Sequence, residues 1–413
     1  MNACKTKSKL HSQNRELPTR SSLLSLLPQP QGIMQKSKVM VAMSGGTDSS
    51  AVCRMLQEQG HEVVGLTMRV FDLPRQFPAA TLAGLDETVL QSGSLPGEPD
   101  FLLAARRLAE RLQIRHITVD VREEFRRDVV TYFLQEYLAG RTPNPCVHCN
   151  RRFKFRLLEE WANREGCELM ATGHYVRTET DAAGRTFLLR GIDPTKDQSY
   201  FLWRLPSSLL SRCLFPLGGM KKTEVRAWLR ERDMTTEASR KDSMETCFVE
   251  GDYRDFLLHH CPEAAQRAGG QFVSREGKKL GTHRGVPFFT VGQRKGLGIA
   301  LGKPAYVVRL NAEKNTVVLG DADDLLAPAF FVKDSVCTDP SLILSNPNLT
   351  VRIRYHSEPI ACSVETLPDG RWLVRPKTAV SAVTPGQSAV FYEKERLLGG
   401  AVIDDPRGIG LYL

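Results

Sequence analysis

The 413-residue chain has no long hydrophobic run. Its longest apolar stretches are short, such as Val39–Met43, against the roughly 20 residues a bilayer-spanning helix needs, so a membrane protein is not expected. No secretory apolar core opens the chain. Its ten cysteines therefore read as reduced thiols of a cytosol-like compartment rather than as a disulfide frame. Internal repeats and low-complexity tracts are also missing, which sets repeat architectures aside. Acids are nearly absent from the first 32 residues, where Lys5, Lys7, Lys9, Arg15 and Arg20 face Glu16 alone. Residues 1–33 read as a disordered extension ahead of the working domain. The alternative is an organelle transit peptide, which would move the protein from the cytoplasm to a mitochondrion or similar compartment.

What is present is ordinary globular composition, 41% apolar and 25% charged, with 56 Lys and Arg against 47 Asp and Glu. The resulting net charge of +9 makes an anionic partner plausible without naming one. From Lys38 the pattern alternates: strand 38–43, helix 49–59 closed by Gly60, strand 61–68, helix 101–112, strand 116–120, helix 124–138, helix 153–164, strand 168–172. Strands alternating with helices predict a doubly wound parallel sheet. Beyond Pro304 short strands and turns take over, with Pro368-Asp369-Gly370 as a hairpin signal, and a small β-barrel is expected. The stretch 71–100 is rich in Pro and Gly and reads as an insertion or a loop over a site.

Three segments carry chemistry. Between the first strand and helix lies Ser44-Gly45-Gly46-Thr47-Asp48-Ser49. Its glycines let backbone N–H groups and a helix N-terminus turn toward an anion. Asp48 can cap that helix or hold Mg²⁺, and the two serines add hydroxyls. No lysine follows, so this is not a Walker A loop. The second segment is Arg141-Thr142-Pro143-Asn144-Pro145-Cys146-Val147-His148-Cys149-Asn150, leading into Arg151-Arg152-Phe153-Lys154-Phe155. Two prolines are expected to hold off helix until after the cysteines. Five basic residues and no acid between 141 and 156 form a field expected to lower thiol pKa values and to attract RNA phosphates. A structural zinc site would need a second cysteine pair, and none follows. The third segment is Lys241-Asp242-Ser243-Met244-Glu245-Thr246-Cys247-Phe248, where a lone cysteine could as well be a buried hydrophobe.

The phosphate loop resembles that of the PP-loop ATP pyrophosphatases, with an adenine nucleotide α-hydrolase-like fold. Together with Ala171-Thr172-Gly173-His174-Tyr175, Lys196-Asp197-Gln198-Ser199-Tyr200-Phe201-Leu202, Gly292-Gln293-Arg294-Lys295-Gly296 and Thr384-Pro385-Gly386-Gln387, the sequence resembles the tRNA-uridine 2-sulfurtransferase (tRNA-specific 2-thiouridylase) family from about Lys38 onward. The resemblance implies a PP-loop domain over 34–255, a small central tRNA-contacting domain over 256–320 and a C-terminal barrel over 328–411. It implies ATP with Mg²⁺ on Ala42, Met43, Ser44, Gly45, Gly46, Thr47, Asp48 and Ser49, and adenosine at Met68 and Gly173. The wobble uridine of tRNA would enter beside Asn144, Pro145 and Cys146. Further tRNA contacts would come from His174, Lys196, Asp197, Gln198, Arg354, Tyr355 and Gln387. Cys149 would be the loop cysteine and Cys247 the persulfide carrier, loaded by a sulfur donor or relay protein.

Such a reaction adenylates the uracil C2 oxygen so that AMP can leave, and then delivers sulfur to a base flipped out of its stack. Family members often carry Asp where this chain has Cys146, and Gly-Ile before the second cysteine where this chain has Glu245-Thr246. Three thiolates, Cys146, Cys149 and Cys247, could instead ligate a 4Fe–4S cluster with one open iron, so persulfide and cluster schemes both stand. Rival readings are another PP-loop enzyme, such as an amidating synthetase, or an inactive RNA-binding iron–sulfur module. Arg275, Lys278, Lys279, Arg284, Arg294, Lys295 and Lys303, with only Glu276 among them, are expected to add a second basic face for tRNA.

Overall fold

The computed structural model describes residues 36–71, 99–240, 246–249 and 251–406. The expectations for residues 1–33 and Lys241–Glu245, and for nearly all of the 71–100 stretch, fall outside these. Lys38–Ala42 (β1) is a hydrophobic strand whose Val39 and Val41 face one core while Met40 faces another. That alternation is what a sheet covered on both faces requires. β1 lies between Glu62–Arg69 (β2) and Leu169–Ala171 (β4), with Arg115–Asp120 (β3) outside β2, all pairings parallel. On one face pack Thr47–Glu58 (α1) and Asp100–Leu112 (α2). Gly60 follows α1 at φ +86°, the left-handed position that ends a helix.

Two strands after β4, Val176–Thr180 (β5) and Thr186–Arg190 (β6), form an antiparallel hairpin. Cys213–Leu214 (β7) then returns beside β4 and completes the sheet in the order β3-β2-β1-β4-β7. The order reverses at β1, so the crevice beyond the carboxyl end of β1, where open α/β sheets bind ligands, is where the Ser44–Ser49 loop lies.

Gly270–Val273 (β8), Lys279–His283 (β9), Tyr306–Asn311 (β10) and Thr316–Gly320 (β11) make a separate sheet in the order β10-β11-β8-β9. The strands expected just past Pro304 therefore belong here and not to the barrel, because β11 pairs backward with β8. Leu326–Ala327 (β12) starts the next segment. Phe330–Cys337 (β13), Thr350–Arg352 (β14), Ile360–Thr366 (β15) and Trp372–Pro376 (β16) follow, then Val380–Ser381 (β17), which pairs with β12. Ser388–Glu393 (β18) and Arg396–Ile403 (β19) complete the set. The run β13-β16-β15-β14-β18-β19 closes on itself through β13–β19, giving a six-stranded antiparallel barrel. The hairpin at Pro368-Asp369-Gly370 joins β15 to β16 with Thr366 opposite Trp372.

The barrel does not stand apart. β6 adds to the edge of β19, Leu188 opposite Leu397, so the hairpin of the α/β segment extends the barrel wall. The Trp203 indole donates to Ser388 Oγ at 3.0 Å, and Tyr200 to the Ser388 carbonyl at 2.9 Å. Asp197, 2% exposed, accepts from Arg190 of β6 at 3.1 Å and from Arg352 of β14 at 3.2 Å. A buried carboxylate with two guanidinium partners is held firmly, since removing one side leaves an uncompensated charge.

Candidate active site

A cavity of about 1070 Å³ opens where the three segments meet. Its walls include Ser44, Gly46, Thr47 and Asp48 of the phosphate loop, Asn144 to Cys146 of the second segment, and Cys247 of the third. His174, Lys196, Gln198, Tyr355 and Gln387 also line it. Residues as far apart in sequence as Ser44 and Gln387 thus share one chamber.

The phosphate loop is tight. Gly45 has φ +70°, and a Cβ there would lie 2.3 Å from the Phe101 carbonyl oxygen; only glycine fits between the loop and α2. Gly173 packs on the start of α1, its missing Cβ 2.9 Å from Asp48 Cβ. The serine hydroxyls close the loop on itself: Ser44 Oγ and Ser49 Oγ lie 3.3 Å apart, and Ser49 Oγ accepts from the Ser44 N–H at 3.2 Å. Asp48 does not cap the helix. Gly46 is the N-cap and makes no side-chain cap bond. The Asp48 carboxylate instead accepts from Tyr175 Oη at 2.7 Å and from Lys222 Nζ at 2.7 and 2.8 Å. Ala42, Met43, Gly45, Ser49, Met68 and Gly173 shape the loop and its support without lining the cavity.

The cysteine segment folds differently from the expectation. Pro145–Cys149 (α3) is already helical, with Pro145 at its first position and Asn144 as N-cap accepting from the Val147 N–H at 3.4 Å. Proline is tolerated there because that N–H has no helical partner to lose. A π-helical turn, Asn150–Lys154, leads into Phe155–Arg164 (α4); such π turns are frequent at functional sites. Helical spacing turns Cys146 to the cavity and buries Cys149 at 5% exposure among Phe153, Phe125 and Phe248. Phe248, anchored at 5.5 Å from Phe125 and 5.3 Å from Phe133, holds its neighbour Cys247 at the cavity. All three thiols are free.

Their electrostatics also correct the expectation. Desolvation by the surrounding protein raises the pKa of each thiol, of Cys146 and Cys247 at the open cavity wall as of buried Cys149, and Lys154 only partly opposes it. For Cys149 the result is about 12, with charge on Cys247 and Cys146 adding to the rise. The basic field loses because most of its guanidiniums sit in solvent, whereas desolvation acts directly on the sulfur. Lys154 is the cation that reaches them. Among the described residues no group of three or more His, Cys, Asp or Glu side chains is arranged to hold a metal ion. Cys149 lies in the aromatic cluster while Cys146 and Cys247 stand open at the cavity, so the three thiols are not arranged as a ligand set in this structure.

His174 stays neutral. Burial, with Lys154 adding, pushes it down to about 3, while its Nδ1 lies 2.7 Å from Thr172 Oγ1 and its ring stacks 5.8 Å from Phe155. Asp197 is turned into the barrel junction, so its carboxylate cannot meet a tRNA. Gln387 is already engaged within the protein. Its Nε2 donates to the Thr142 and Pro143 carbonyls at 3.0 Å each, and the Thr142 N–H donates to the Pro385 carbonyl at 2.9 Å. A barrel turn thereby clamps the cysteine segment. Arg354 is exposed and donates to the Ala382 carbonyl at 2.7 Å. Tyr355 faces Phe201 at 4.5 Å and His356 at 4.3 Å, an aromatic wall suited to a stacked base.

Sequence reasoning did not single out Lys154, Lys222, Phe201 or His356 as site residues. Lys154 was visible inside the basic run. Lys222 had no signal, being 174 residues from the aspartate it meets.

Residues 37–251 match the family described as tRNA methyl transferase HUP domain, 254–321 its PRC-barrel domain and 331–403 the aminomethyltransferase beta-barrel domain. The tRNA-specific 2-thiouridylase MnmA 3 of Phocaeicola vulgatus is 52% identical over 375 residues, covering 90% of this chain and 96% of that protein. The chain belongs to the tRNA-specific 2-thiouridylase family. A namesake from Bacteroides fragilis is 50% identical over 92% of this chain and 97% of its own length. The tRNA-specific 2-thiouridylase MnmA of Chloroflexus aggregans is 42% identical over 90% and 99%.

Proposed function

We propose that the protein is a tRNA-uridine 2-sulfurtransferase that uses ATP to convert the wobble uridine of tRNA to 2-thiouridine. The observation that carries this reading is the single cavity in which phosphate-loop residues, two open thiols and the Tyr355–Phe201 wall face one another. ATP lies along Ser44–Ser49, its phosphates toward Gly46, Thr47 and the N-terminus of α1, where the helix dipole and backbone N–H groups favour anions. Of the loop side chains only Asp48 is a carboxylate at the cavity, and it would hold Mg²⁺, which would neutralise phosphate charge. The uracil enters beside Asn144, Pro145 and Cys146 and stacks on the aromatic wall. Its C2 oxygen attacks the α-phosphate, pyrophosphate leaves, and the C2–O bond becomes one that AMP can carry away.

Sulfur then arrives on Cys247 as a persulfide, whose terminal sulfur attacks C2 as AMP departs. The Cys149 thiol, neutral until this step, attacks Cys247 Sγ and gives its proton to the departing 2-thiouridine; the S–S bond breaks and a Cys149–Cys247 disulfide is left for an external thiol to reduce. Cys146 occupies the cavity side of α3 and assists rather than carries the transfer. His174, Lys196 and Gln198 line the path of the tRNA. Incubating the protein with unmodified tRNA, ATP and a persulfide donor should yield 2-thiouridine. Cys247→Ser and Cys149→Ser should yield none, and Cys146→Ser should keep partial turnover. Full thiolation by Cys247→Ser would overturn the scheme.

A further inference from the structure

The phosphate loop has no lysine of its own, yet its carboxylate is already paired with one. Lys222 sits at the first position of Lys222–Arg230 (α5), where Glu224 accepts from the Lys221 N–H at 2.7 Å and Asp193 accepts from the Lys222 N–H at 3.0 Å. These bonds fix the helix start against the Ser44–Ser49 loop. The Lys222 side chain is 9% exposed and its ammonium contacts both Asp48 oxygens, while the Tyr175 hydroxyl donates to one of them at 2.7 Å and the Tyr175 ring lies 5.8 Å from Nζ. The side chain lines the cavity beside Gly46 and Thr47.

A nearly buried ammonium needs an anion at all times. In the protein without nucleotide that anion is Asp48. When ATP arrives, its phosphate charges enter the same space, and Asp48 gains a cation of its own in the Mg²⁺ that accompanies ATP. We propose that Lys222 is a substrate-binding residue that exchanges its Asp48 partner for the β- and γ-phosphate oxygens of ATP, supplying from a distant helix the cation that the loop lacks. The inference rests on the ATP-dependent reading above. Tyr175 takes part as well, because its hydroxyl keeps Asp48 oriented while the lysine changes partner. The exchange makes the site selective for the triphosphate, because AMP presents nothing for Lys222 to reach and leaves the Asp48 pair intact.

The test compares ATP and AMP affinities of the full chain, wild type against Lys222→Met, by isothermal titration. Removing a charge-assisted hydrogen bond should weaken ATP by about 10- to 100-fold and leave AMP nearly unchanged. Equal losses for ATP and AMP would mean that Lys222 only steadies Asp48, and no loss for ATP would mean that it takes no part; either result overturns the proposal. Wild-type protein that binds no ATP would instead refute the functional reading itself.

Discussion

At the scale of single residues, the cavity is governed by burial more than by formal charge. Cys149 is neutral at physiological pH because desolvation holds its thiol near 12, although five basic residues lie between Arg141 and Arg156. Alkylation by iodoacetamide should therefore modify Cys146 and Cys247 first. Labelling of Cys149 should rise about tenfold per pH unit as the thiolate fraction grows toward its raised pKa. Equal labelling of all three at about pH 7.5, followed by peptide mapping, would show that Cys149 is not sealed. Asp48→Ala should remove ATP binding, since its carboxylate would hold the Mg²⁺ that accompanies the nucleotide. Gly45→Val should fail for a different reason, because its side chain collides with the Phe101 carbonyl and must displace α2. Its melting temperature should drop, and that of Asp48→Ala should drop as well, because the nearly buried Lys222 ammonium is left without its anion. Retained nucleotide affinity in Asp48→Ala would remove the loop from the site.

Elements show how much of this was readable in advance. The period-two and period-3.6 patterns locate β1, α1, β2, α2 and β3 to within two residues or so, because each buries one well-marked face. The cysteine helix was hidden by Pro143 and Pro145. Proline excludes a helix interior but suits a first turn, and only the tertiary position of Asn144 shows which applies. The β5–β6 hairpin does carry a turn signal in Asp181-Ala182-Ala183-Gly184, with Gly184 at φ +75°, but its pairing with β19 is set by a partner far along the chain, Arg396 opposite Leu189. Gln387 illustrates the same limit: the resemblance assigns it to tRNA, while its amide is occupied in clamping the Thr142 and Pro143 carbonyls. Gln387→Ala should loosen the cysteine segment and slow thiolation. It should also speed alkylation of Cys149, a readout that weaker tRNA binding alone would not move.

For the whole molecule, the Asp197 junction makes barrel and α/β sheet one unit. Asp197→Ala should lose about 3–5 kcal/mol of stability, as expected when a buried charge pair is broken from one side; a change in tRNA affinity with unaltered urea melting would argue against this. Acid should weaken the fold through its buried imidazoles. His174 and His116 are held down to about 3 and about 4, below the ordinary value of about 6.5. A base with a lowered folded-state pKa gives stability that is present above the unfolded value and lost as pH falls through the folded one. The decline attributable to these two should thus run from about pH 6.5 to about pH 3, and should be shallower in His116→Gln. Among the basic residues of 275–303, Arg275 pairs with Asp324 and Lys303 with Asp321, while Arg294 and Lys295 are exposed. Neutralising that exposed pair should flatten the log–log salt slope of tRNA binding by roughly 0.7–0.9 for each phosphate no longer neutralised. An identical slope would place the tRNA elsewhere.

The chemistry turns on whether the uracil C2 oxygen leaves with AMP. A tRNA carrying ¹⁸O at C2 of the wobble uridine, incubated with ATP and a persulfide donor, should place one ¹⁸O in the phosphate of the released AMP for each 2-thiouridine formed. Label appearing in pyrophosphate or in water, with thiolation complete, would contradict activation by adenylation.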